Sequence, residues 1–84
     1  MDQLTCCEAS SWVPERDLGH AEGFEYLLGR CARCGTPWIN AFCVATGLGG
    51  YELVAPGDLA TINSTADPLE LKEAMRRWGR ENIG

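Results

Sequence analysis

The residues best suited to chemistry are Cys31 and Cys34 in the run "RCARCGTPW", Arg30 to Trp38. Two thiols at this C-x-x-C spacing suit a metal knuckle, because the turn brings both sulfurs to one point and Gly35 lets the backbone leave with a positive φ. Backbone N–H groups in such a turn can face the thiolates and offset part of their charge. The same spacing serves thiol redox chemistry, and Arg30 and Arg33 would favour the thiolate in either case. Plain burial is the third reading, since cysteine is among the most buried residue types.

One knuckle supplies two ligands, whereas a closed tetrahedral site takes four. Cys6 and Cys7 are the natural candidates for the other two, because the 23 residues between Cys7 and Cys31 allow a loop and one strand to return. His20 could offer a nitrogen in place of one thiol, although a lone histidine in the polar loop "LGHAEG" reads more simply as a surface residue. Cys43 stands nine positions beyond Cys34. If the segment between is extended, Cys43 lies about 25 to 30 Å along it and out of reach; if it is helical or turns back, Cys43 returns to contention.

With these motifs the chain resembles the zinc-ribbon superfamily over roughly residues 6 to 55. In that superfamily two cysteine knuckles from separate hairpins clamp one zinc beside a small antiparallel sheet. "CARCG" matches the second knuckle, and the resemblance implies Cys31 and Cys34 as ligands. "TCCEA" departs from the first knuckle, since Cys6 and Cys7 are adjacent and no glycine follows. Zinc is the cofactor expected. Iron in four thiolates, as in the rubredoxins with their similar knuckles, is the lesser alternative, because no aromatic shell of an electron carrier is legible here.

The elements that must position these residues are unevenly written. Residues 1–23 mix turn formers, Pro14 and alternating charge, which predicts irregular chain with a short edge strand around Ser11 to Val13. In "FEYLLGRC", Phe24, Tyr26 and Leu28 alternate with Glu25 and Leu27, a strand pattern. "PWINAFCVAT" fits a strand, and also a helix capped by Thr36 with Pro37 in its first turn. The following "GLGG" and "YELVA" favour the strand, as one arm of a hairpin.

The last segment is the clearest. Asp67 can cap a helix over 67–79, Pro68 fits its first turn, Glu70 can reach back to the cap, and Gly79 stops it. Leu71, Ala74, Met75 and Trp78 form its apolar stripe, while Lys72, Arg76, Arg77 and Arg80 make a basic side that suits solvent or an acidic partner. The fold expected is α+β: a three-stranded antiparallel zinc-ribbon sheet followed by one C-terminal amphipathic helix, in a single domain over 1–84.

Composition bounds the function. A chain of 84 residues buries only about 60% of its unfolded surface, so a metal or partner is expected to support the core. A hydrophobic content of 45% and three tryptophans argue against disorder. The net charge of −5 is uneven, with three basic and eight acidic residues before position 67 and four of each after it. That balance opposes direct contact with nucleic acid.

The first residues lack the basic and apolar regions of a secretory signal, and no run approaches the roughly 20 apolar residues of a membrane span. A cytoplasmic protein with reduced thiols is the expectation. One histidine and no phosphate-cradling motif leave no legible catalytic set, so the chain reads as a non-enzymatic module that binds another protein or complex, as an accessory subunit, assembly factor or inhibitor. A thiol redox or electron-transfer role for Cys31 and Cys34 is the alternative, and metal donation from an exchangeable Cys6–Cys7 pair ranks third. Trp78 is expected in the core, and Trp12 is the best candidate for an interface.

Overall fold

The computed structural model describes residues 11–83. Its four strands, β1 (Trp12–Ala21), β2 (Phe24–Cys31), β3 (Pro37–Cys43) and β4 (Leu48–Leu53), form one antiparallel sheet in the order β1-β2-β3-β4. Two helices follow, α1 (Pro56–Ser64) and α2 (Pro68–Asn82). The class is α+β, as expected, but the sheet has four strands where three were expected, and α2 is preceded by a helix the sequence reading missed.

The additional strand is β1, expected only as a short edge strand around Ser11 to Val13 but running Trp12–Ala21, and its irregularity explains why its length was hidden. Its pairing with β2 slips between Pro14 and Arg16 and again between Asp17 and Gly19. Each slip is a bulge that resets the period-2 alternation by which a strand is recognised. The bulges turn Arg16 and Leu18 toward the helices. There the Arg16 guanidinium donates to the carbonyls of Ile62 (3.1 Å) and Thr65 (3.0 Å), closing the end of α1. A cation at a helix C-terminus also suits the macrodipole. Helix α1 has no side-chain cap at its start and buries only Ile62, so its local signal is weak and a tertiary contact secures it.

The β1–β2 hairpin closes over Glu22 and Gly23, with φ of 52° and 86°, a two-residue turn of the primed kind that matches sheet twist. Glu22 is bulkier than the residues that prefer such a φ. Its carboxylate lies 3.5 Å from both Arg76 and Arg80 of α2, and Arg76 also pairs with Glu73. Part of the basic side of α2 is thus answered from within the chain.

Phe24, Tyr26 and Leu28 of β2, with Ile39 and Ala41 of β3, point to the helices and meet Ile62, Leu71, Met75 and Trp78 in the core. Met75 is fully buried, and truncating such a side chain to alanine costs about 2–5 kcal/mol. Asp67 caps α2 as expected, accepting from the Leu69 N–H at 3.0 Å. Gly79 does not stop the helix, which continues to Asn82. It is buried against Tyr26, whose hydroxyl occupies the place a Cβ would take. No helix among the described residues is long and apolar enough to cross a membrane.

Candidate functional site

Cys31 closes β2, and Cys34 lies in the turn that leads to β3. The turn is tight: the Gly35 N–H donates to the Cys31 carbonyl at 2.8 Å, and the Cys31 N–H donates to the Thr36 carbonyl at 2.9 Å. Gly35 leaves it at φ 80°, the left-handed conformation that glycine adopts without strain. Cys31 is 2% exposed, whereas Cys34 is exposed with its sulfur 3.0 Å from the Thr36 hydroxyl. One ligand candidate is therefore rooted in the sheet and the other faces outward.

The start of β1 is fastened to this turn. The Ala32 N–H donates to the Ser11 carbonyl at 2.7 Å, and the Ser11 hydroxyl lies 3.7 Å from the Cys31 sulfur. Trp12 is the strand partner of Cys31. Cys6 and Cys7, the other expected ligands, lie outside the described residues, and among the described residues no group of three or more potential metal ligands gathers.

The two substitutes are placed elsewhere. His20 pairs with Glu25 near the closed end of the β1–β2 hairpin, eight positions along β1 from Trp12, or roughly 26 Å of strand. Cys43 ends β3, an extended strand that begins at Pro37 beside Arg30, so it stands at the far end of the sheet from Cys31. There the Thr46 hydroxyl and backbone N–H groups of Thr46 and Ala45 hold its thiol below the usual range. The Arg30 guanidinium, beside Cys31 in sequence, pairs with Glu15 at 2.7 Å.

By strand register Cys31 belongs to the sheet face away from the helices, which sequence reasoning did not single out. Trp12, Leu27, Trp38, Phe42, Tyr51 and Leu53 occupy this face. Phe42 is 38% exposed, Tyr51 39% and Leu53 55%. Trp12 lies over Gly29, where a Cβ would collide with its indole, and donates its ring N–H to the Trp38 carbonyl at 3.1 Å. Farther along the face is a hollow of about 400 Å³ lined by Asp17, His20, Glu25, Leu27, Asn40 and Phe42. The signal for this face was present in the alternation of Trp38, Asn40 and Phe42, but periodicity alone does not tell which side of a strand the helices cover.

Searches of protein-family models, curated proteins and solved structures each return no match to this chain.

Proposed function

We propose that the chain is a small zinc-binding protein that acts without catalysis, as an interaction module docked on a larger protein in the cytoplasm. The observation that carries the metal reading is the turn at Cys31–Cys34, closed between two strands. A thioredoxin-like redox motif precedes a helix, whose N-terminus favours the thiolate. Here the chain after Thr36 runs extended as β3, so that source of activation is absent from the turn. A hairpin turn carrying two thiols from one tight loop is what a zinc knuckle needs.

Two thiols fit half of a closed zinc site. Ser11 is bonded beside the turn, and Cys7 is four residues before it in sequence, within about 14 Å of chain. Cys6 and Cys7 complete the donor set in this reading, and bound zinc would act as a structural cross-link. The cross-link would tie the beginning of β1 to the β2–β3 turn, fixing Trp12 on the open face. The aromatic and aliphatic side chains of that face then present a prearranged surface to a partner protein.

Titration of zinc into reduced, metal-stripped protein tests this. Amide exchange at Cys31 to Thr36 should slow at one equivalent, and near-ultraviolet circular dichroism from Trp12 should sharpen. No change in either signal would remove the link between metal and interaction face.

A further inference from the structure

We infer that β4 is a self-association edge, pairing antiparallel with β4 of a second copy about Tyr51 and joining two four-stranded sheets into one. The two outer strands of the sheet are unlike. β1 carries Pro14, two bulges and the charges of Glu15, Arg16 and Asp17, the devices by which natural sheets block edge pairing. β4 has no proline and no basic residue, its only charge is Glu52, and its register with β3 is unbroken from Leu53 to Leu48. Leu48, Gly49, Gly50, Tyr51 and Leu53 are all exposed.

The hydrogen-bond phase identifies which backbone groups face outward. The Val44 N–H donates to Gly23 at 2.9 Å and the Val54 N–H to Pro37 at 3.4 Å. By the alternation of an antiparallel ladder, Leu48, Gly50 and Glu52 bond to β3, while Gly49, Tyr51 and Leu53 direct their N–H and C=O groups away from the sheet.

That pattern is self-complementary. Centred on Tyr51, the pairing sets Tyr51 opposite Tyr51 and Leu53 opposite Gly49, so every outward residue meets an outward residue. Leu53 then faces a residue with no side chain to obstruct it. Glu52 stands opposite Gly50 of the second copy, not opposite another carboxylate. Centring on Gly50 instead leaves Leu53 facing the turn at Gly47, and centring between residues sets outward groups against inward ones. A second copy matches this arrangement by two-fold symmetry.

Gly50 supplies a test that leaves the monomer intact, because a Cβ there would meet nothing within 4 Å. Sedimentation velocity of the reduced full chain over a dilution series should show monomer and dimer in exchange. Gly50→Glu places a carboxylate opposite Glu52 at two symmetric positions and should raise the dissociation constant about tenfold. Gly50→Lys should leave it unchanged or lower it, and the double change Gly50→Glu with Glu52→Lys should restore dimerisation. A monomer at every concentration, a dimer indifferent to Gly50→Glu, or equal weakening by both Gly50 variants would overturn the proposal.

Discussion

Trp12 and Tyr51 stand on the two outermost strands of the sheet and meet edge to face, with ring centroids 5.2 Å apart and planes at 67°. The indole reaches across β2 and β3 because Gly29 has no side chain beneath it and the Trp38 carbonyl accepts its N–H. One side chain from the strand beside the cysteine turn thus orders the open face as far as the opposite edge.

Gly29→Ala tests that arrangement. A methyl at 29 would meet both the Trp12 ring and the Val13 carbonyl, so the ring must lift off the sheet. A loss of about 1–3 kcal/mol in urea unfolding is expected from the overpacking, with a red-shifted tryptophan emission as Trp12 becomes wetter. Unchanged stability and emission would show that Trp12 is not held there.

Arg16 links the edge strand to α1 through two carbonyls. Arg16→Met keeps much of the stem and removes the donors, and should cost about 1.5–3 kcal/mol, the range for hydrogen bonds from a charged group. Amide exchange should accelerate in α1 more than in α2. Arg16→Lys should recover only part, since an ammonium lacks the planar fork that spans both acceptors.

Gly79→Ala would raise helix propensity by about 1 kcal/mol at an ordinary helical site. Here the added methyl meets the Tyr26 hydroxyl, so the substitution should destabilise the fold. Thermal melts of Gly79→Ala alone and with Tyr26→Phe check this, and the second change should recover stability by removing the obstructing atom.

Burial, with a smaller contribution from the Glu22 carboxylate, raises the Tyr26 phenol above its usual value near 10. The unfolded chain therefore releases this proton first as pH rises. The stabilisation is full below about pH 10 and is lost as pH climbs from there through the raised folded value. Alkaline unfolding of Tyr26→Phe should lack that part of the decline.

The parts of the fold that were legible in the sequence are those whose signals are local. β2 alternates, and α2 announces itself through Asp67, Pro68 and the stripe of Leu71, Met75 and Trp78, whereas β3 also fits a helix and reads as a strand only through the glycine turn and second arm behind it. β1 was obscured because its bulges place Arg16 and Leu18 on a face that strict alternation would deny them. α1 is held by Arg16 from 46 residues away, a contact no local window contains. Gly79 misled because a glycine that ends a helix and one that admits a neighbouring ring look alike in sequence.

At the site, the spacing of Cys31 and Cys34 foretold a shared turn with Gly35 at positive φ. The pairing of Arg30 with Glu15 and of Arg76 with Glu22 depended on strand register and helix docking, which charge spacing alone does not specify.

Native mass spectrometry with elemental analysis of untagged, reduced protein, beside a Cys34→Ser variant, tests whether Cys31 and Cys34 hold a structural zinc. One zinc per chain is expected in the parent, with loss of metal and of cooperative unfolding in the variant. A metal-free parent that folds cooperatively with reactive thiols would rule this out, and Cys31 and Cys34 would then be tested as a redox pair.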